Sequence, residues 1–290
     1  MIPTTTTPAD VPIHRSRRWR DPVAFTAFAG LALLVYVFLA SAIANSRRLR
    51  HPAAIAVVPP FLLAVALTAV NLAFLRRAGW PRGMIGFDRP DVRARQFAAG
   101  FVAGVALVVS WAIIIAVASG ARWQVAHGFD PSGAALVLCL TFLVNLSEEL
   151  AYRGYLFVRI ARSFGNGTAI VGTSLVFFLF HVQSGVPWAS AAAGVLTCAM
   201  IYGVLFARWR SVPLALGFHW ANNVAQHAVG LRAGALTLVE PVGVGRPGTE
   251  AVILIAVAAL NVAAAAALYF AARWRGANGD PVARDSPRRH

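Results

Sequence analysis

Glu148 and Glu149 stand side by side in an otherwise apolar stretch, Asn145-Leu-Ser147-Glu148-Glu149-Leu-Ala-Tyr152-Arg153. A second apolar run ends Phe177-Phe-Leu-Phe180-His181, and a third reads His219-Trp220-Ala-Asn222-Asn223. A carboxylate beside an imidazole can hold and deprotonate a water. A second His with an Asn carboxamide can donate hydrogen bonds to a developing oxyanion. These are the parts needed to add water to an amide carbonyl. On a helix, Glu149 and Arg153 fall at i,i+4, stack on one face and can pair. Glu148 lies about 100° round the helix from Glu149 and can point elsewhere, into a cavity. His219 and Asn223 form a second i,i+4 pair, Phe177 and His181 a third. No Ser or Cys nucleophile with its own base is evident, since Ser147 is directed away from Glu149.

Taken singly, each piece also has a structural reading. Glu149–Arg153 can be a buried ion pair, His181 a polar residue at the end of an apolar run, and His219 with Asn223 hydrogen-bonding glue between helices. Glu148 resists such a reading, because its neighbour already takes the Arg. Two adjacent carboxylates in an apolar setting are costly and normally mark a site. The two cysteines, Cys139 and Cys198, lie within apolar runs and read as small buried residues with free thiols. No CxxC, Cys/His or HExxH spacing points to a metal.

The elements that must position these residues are membrane helices. Of 290 residues, 58% are hydrophobic and 13% charged, against roughly 25% charged in soluble proteins. Apolar runs at 23–44, 53–75, 97–119, 133–157, 168–183, 188–207, 212–228 and 249–272 mostly approach the roughly 20 residues that cross a bilayer core. The expected fold is therefore all-α, a polytopic bundle of about eight spans. Residues 1–22 and 273–290 would form arginine-rich cytoplasmic tails around a membrane domain at 23–272. Ala42-Ile43-Ala44 resembles a signal-peptide cleavage site, but the run before it exceeds the 7–15 residues of such a segment. The first helix is expected to be retained. Gly100 and Gly104 predict a close helix crossing, and the loop at 76–95 has room for a short interfacial helix.

The net charge of +15 comes without a single Lys. The arginines sit in short runs between apolar segments rather than on a continuous face with interleaved aromatics, which argues against nucleic acid. One set of loops carries Arg15, Arg17, Arg18, Arg20, six arginines between Arg76 and Arg95, Arg159, Arg162, Arg208, Arg210 and five at the C-terminus. The other set carries Arg47, Arg48, Arg50, Arg122, Arg232 and Arg246. That bias places both termini in the cytoplasm, and the arginines near the membrane surface suit anionic lipids. Trp19, Trp80, Trp123, Trp188, Trp209 and Trp274 fall near span ends, as interfacial aromatics do. On these boundaries His181 lies at the outer end of its span and Glu148 near mid-membrane, many ångströms apart in depth.

Glu148-Glu149-x-x-x-Arg153, Phe177-x-x-x-His181 and His219-x-x-x-Asn223, in that order on three apolar runs, resemble the three motifs of the CPBP intramembrane protease family, which includes the CAAX prenyl endopeptidases and the bacterial Abi proteins. The resemblance covers about residues 130–230. It implies an endopeptidase in the cell membrane (a bacterial inner membrane) that acts on a membrane-embedded or membrane-anchored peptide. By the pattern, Glu148 is the general base, His181 helps hold the catalytic water, His219 and Asn223 stabilise the oxyanion, and Glu149 and Arg153 orient the site. No cofactor is expected. Were zinc present, Glu148, His181 and His219 would be its ligands. Two other functions fit the same residues: a proton-coupled transporter, for which the Glu, Arg and His side chains would form a relay, and a non-catalytic bacteriocin-immunity or assembly factor on the same fold.

Overall fold

The computed structural model describes residues 20–44, 55–87, 90–127, 129–243 and 248–278. Most of both arginine-rich tails and the Arg47–Arg50 cluster lie outside the described residues. The chain forms α1 (Arg20–Ala44), α2 (Val58–Arg77), a 3₁₀ turn at Arg82–Ile85, α3 (Pro90–Ser119), α4 (Pro131–Arg153), α5 (Tyr155–Phe164), α6 (Asn166–Gln183), α7 (Trp188–Trp209), α8 (Val212–Ala228) and α9 (Thr249–Asn278). Two short strands, β1 (Arg122–Val125) and β2 (Val239–Val242), pair antiparallel with Arg122 opposite Val242 and Val125 opposite Val239.

Local chemistry sets the helix ends. Proline occupies the first turn of α2, α4 and α8, where its missing N–H removes no helical bond. Asp130 caps α4 by accepting from the Ser132 backbone N–H at 3.0 Å, and Ser211 caps α8 by accepting from Leu214 N–H at 3.1 Å. The Ser132 hydroxyl, donating at 2.7 Å, holds the Asp130 carboxyl below its ordinary pKa. The 3₁₀ turn is the short helix expected in the loop at 76–95.

The polytopic bundle is as expected, with one correction. The run 133–157 is two helices, not one. It breaks at Gly154, where Asn71 of α2 donates to Leu150 O at 3.0 Å and accepts from Tyr155 N–H at 2.7 Å. A Cβ at Gly154 would collide with the Asn71 carboxamide, so glycine is what lets this clamp close. Seven segments among the described residues are long and apolar enough to cross a bilayer: Pro22–Ala42, Val58–Arg77, Arg82–Ser119, Pro131–Phe164, Asn166–Gln183, Trp188–Trp209 and Thr249–Ala271. The eighth, α8, has 17 residues, about 25 Å of helix, and it carries much of the site's polar chemistry. It tolerates that composition because protein encloses it: Val212, Ala215 and Ala221 are fully buried.

α8 packs on α3, α4 and α7. The glycines predict its closest crossing correctly. A Cβ at Gly100 or Gly104 of α3 would fall on the Leu214 or Phe218 carbonyl of α8, and one at Gly217 of α8 on the Phe97 carbonyl of α3. α9 lies against α7 and α3, α6 against α5 and α7, and α1 against α2 and α5. Outward faces of α1, α3, α6 and α9 expose Phe38, Val117, Leu179 and Ile255. An apolar surface of this extent suits lipid rather than water, and the chain is a multi-pass membrane protein.

Candidate active site

The two adjacent glutamates occupy different worlds. Glu149 is fully buried. Its Oε1 accepts from Arg153 Nη1 at 3.3 Å and from His219 Nδ1 at 2.9 Å. Arg153 is fully buried too, donates from Nη2 to Ala199 O of α7 at 3.1 Å, and lies over the rings of Phe177 and Tyr202 at 5.2 and 5.3 Å. Glu148, turned round the helix as its position demands, keeps 19% side-chain exposure and lines a cavity of about 410 Å³.

His219 couples the two carboxylates. A carboxylate accepts, so Nδ1 carries the proton toward Glu149. That leaves Nε2 facing Asn145 Nδ2 at 3.2 Å and Glu148 Oε2 at 3.6 Å. The ring is wedged in place, with Tyr202 stacked on it at 4.4 Å and 24° and Phe177 edge-on at 5.8 Å. Positioning of this kind fixes both tautomer and orientation.

Asn145, which belongs to none of the three sequence motifs, is the hub. Its Nδ2 donates to Glu148 Oε2 at 3.2 Å and lies against His219 Nε2, while its Oδ1 accepts from Asn223 Nδ2 at 3.0 Å. Its spacing gave the signal: three and four residues before Glu148 and Glu149, it shares their side of the helix. Tyr202 gave none, sitting in a run that reads as plain apolar packing. Asn222, next to Asn223, also lines the cavity. Its Oδ1 accepts from Gln226 at 2.8 Å, and its Nδ2 has no hydrogen-bond partner among the described residues.

His181 lines the same cavity. Its Nδ1 donates to the Phe177 carbonyl at 2.9 Å, which leaves Nε2 as the acceptor of the neutral ring. The difference in depth that the sequence boundaries suggest for His181 and Glu148 is not found: Tyr152 and Phe177, each four residues along its helix from one of them, meet at 5.2 Å, so α6 ends level with the Glu148 region of α4. All six motif residues are thus brought to one place: Glu149 and Arg153 behind it, His219 between, and Glu148, His181 and Asn223 on the cavity. Ser147 Oγ donates to Leu143 O at 2.8 Å, away from the other groups. A second, mostly apolar cavity of about 420 Å³ between α1, α2, α4 and α6 touches Glu148 from its other side.

For a metal, the donor set does not fit. Among the described residues no three His, Cys, Asp or Glu side chains gather as a metal-binding group, and Glu148, His181 and His219 are not drawn together as one. The wall opposite Glu148 includes a π-helical turn at Ala191–Leu196 in α7, a distortion frequent at functional sites.

The site is a carboxylate–imidazole–carboxamide cluster on a cavity inside a multi-pass helical bundle. Residues 130–225 match the Rce1-like family model, described as Type II CAAX prenyl endopeptidase Rce1-like. The match runs from the cap of α4 into α8 and contains all six motif residues. This stretch is a Rce1-like domain of the CPBP/CAAX protease family, at family level a CAAX-type intramembrane protease. No curated protein and no solved structure matches the chain.

Proposed function

We propose that this protein is an intramembrane endopeptidase that hydrolyses a peptide bond of a membrane-embedded or membrane-anchored substrate with water activated by Glu148. The observation that carries this reading is the division of labour between neighbouring carboxylates. Glu149 is committed to Arg153 and His219, while Glu148 opens on the cavity with Asn145 beside it. Its other oxygen is left to accept a proton.

In the proposed reaction Glu148 takes a proton from water held with the help of His181 Nε2. The hydroxide adds to the scissile carbonyl carbon. Asn223 donates to the resulting oxyanion, and so does His219 when its Nε2 is protonated, with Glu149 balancing that charge from behind. Glu148 returns its proton to the amide nitrogen, and the C–N bond breaks. No step passes through a metal or other cofactor. The protein would work in a bacterial inner membrane with both termini cytoplasmic and its basic end near anionic lipids.

The test is cleavage of a membrane-anchored peptide library by purified protein in detergent, read by mass spectrometry, with Glu148→Gln as comparison. The substitution is nearly isosteric and removes a charge, so the fold survives. Turnover should fall by about 10²–10⁴, the usual worth of a general base. Unchanged turnover refutes the mechanism.

A further inference from the structure

Away from Glu148, three spans end around a separate cavity. α6 begins at Asn166, α7 ends at Trp209, and α9 passes Leu268 and Tyr269 shortly before its apolar segment stops at Ala271. Between them lies a cavity of about 510 Å³ lined by Asn166, Val204, Ala207, Arg208, Leu268 and Tyr269. Its lining is divided by chemistry. Arg208 and Asn166 are polar, whereas Val204, Ala207 and Leu268 are apolar. Val204 lies about one turn deeper in α7 than Arg208, so the apolar part faces into the bilayer and the polar part lies at its surface. Trp209 also borders the cavity, and with Tyr269 it forms the kind of aromatic rim found where hydrocarbon meets headgroups.

The polar part carries positive charge that the chain does not neutralise. Arg208 lies over the Trp209 ring at 4.7 Å and makes no hydrogen bond or ion pair among the described residues. Arg210 donates from Nη2 to Asn166 Oδ1 at 2.9 Å and makes no ion pair among them either. That bond occupies the carboxamide oxygen and leaves the N–H donors of Asn166 Nδ2 for the cavity. Arg162 stands near Arg210; burial first, and then that second positive charge, hold the Arg210 guanidinium below its ordinary pKa. It stays charged even so. Two guanidiniums without a carboxylate partner call for an anion, and their planar donors match phosphate oxygens. We propose that this cavity binds an anionic phospholipid. Its phosphodiester oxygens accept from Arg208 and Asn166, Arg210 adds positive potential behind them, and the start of an acyl chain lies along Val204, Ala207 and Leu268. Phosphodiesters line both faces of a bilayer, and basic pockets between membrane helices are where anionic headgroups settle.

Native mass spectrometry of the full chain in detergent tests this without any cleavage, so the outcome is independent of the protease reading. The protein is titrated with phosphatidylglycerol and, separately, with phosphatidylcholine of the same acyl chains. Glycerol 1-phosphate is the competitor that detects a site needing only the phosphate. The expected result is one phosphatidylglycerol held in preference to phosphatidylcholine and not displaced by glycerol 1-phosphate. Arg208→Gln should weaken it about fivefold, the worth of one arginine near a membrane surface. Arg122→Gln, exposed on β1, should leave it unchanged. Ala207→Trp fills the cavity while keeping every charge, and should abolish it. Each variant is first compared with the wild type by size exclusion, and Ala207→Trp decides the matter should Arg208→Gln fail to fold. Equal affinity for the two lipids overturns the proposal, as does phosphatidylglycerol binding that survives Ala207→Trp. Displacement by glycerol 1-phosphate at matching concentration overturns the lipid assignment in favour of a soluble phosphate ester.

Discussion

Arg153→Ala is expected to cost fold rather than chemistry, and the structure gives the size of the loss. The guanidinium is fully buried, bound to Glu149 at 3.3 Å and to the Ala199 carbonyl at 3.1 Å. Deleting one partner of a buried pair costs about 3–5 kcal/mol, because the other charge is left in a low dielectric. His219 still holds Glu149 at 2.9 Å, which moderates the loss. The tie between α4 and α7 and the contacts with the Phe177 and Tyr202 faces disappear, which adds to it. At about 2–4 °C per kcal/mol for a large domain, the melting midpoint should fall by about 10 °C. Tryptophan fluorescence during heating of the detergent-solubilised protein measures this. Arg153→Lys should recover little, since a single ammonium cannot reproduce the fork that reaches both acceptors. Glu148→Gln, run alongside, should melt with the wild type. A wild-type midpoint for Arg153→Ala would refute the claim that this pair holds the bundle. A large loss in Glu148→Gln would show that Glu148 is structural as well.

Three further outcomes follow from the same geometry. Asn145→Ala removes the link between Glu148, His219 and Asn223; kcat should fall by about 10-fold or more, the worth of a charge-assisted hydrogen bond of roughly 1.5–3 kcal/mol, with KM moving less, as steady-state kinetics on any cleaved peptide would show. Gly104→Leu puts a branched side chain on the Phe218 carbonyl at the α3–α8 crossing, and overpacking of about 1–3 kcal/mol or more should lower the yield of monodisperse protein by size exclusion. 1,10-Phenanthroline and EDTA should leave cleavage unchanged, because no three His, Cys, Asp or Glu side chains among the described residues gather as a metal-binding group; inhibition reversed by zinc would overturn the metal-free mechanism.

The reach of the sequence differs from element to element, for physical reasons. Apolar runs about 20 residues long announce themselves, and costly charges within them mark a site, so the helices and the six motif residues are legible. A break such as Gly154 is not, because what stabilises it is Asn71, more than eighty residues away and unremarkable in its own apolar run. Asn145 was visible by its spacing, but its role depends on a carboxamide from α8 arriving within 3.0 Å. The β1–β2 pair joins segments over a hundred residues apart, and non-local pairing of that kind has no local signature. α8 shows the converse. Its polar composition makes it look a poor span, yet enclosure by α3, α4 and α7 removes the lipid contact that would have made that composition costly.

One helix offset explains how two identical side chains come to do different work. Neighbouring positions on α4 differ by about 100° in direction, enough to send Glu149 toward α7 and α8 and Glu148 toward the cavity. The buried carboxylate is tolerable only because Arg153 and His219 reach it together, and that same arrangement fixes the imidazole whose far nitrogen faces Glu148. The structural ion pair and the proposed catalytic group are therefore not independent features. Nor is Glu149→Gln a conservative change: it should disturb His219 and, through it, the environment of a Glu148 it never touches. A Glu149→Gln protein that keeps wild-type kcat would show that His219 needs no carboxylate behind it, and would remove the coupling on which this account of the paired glutamates rests.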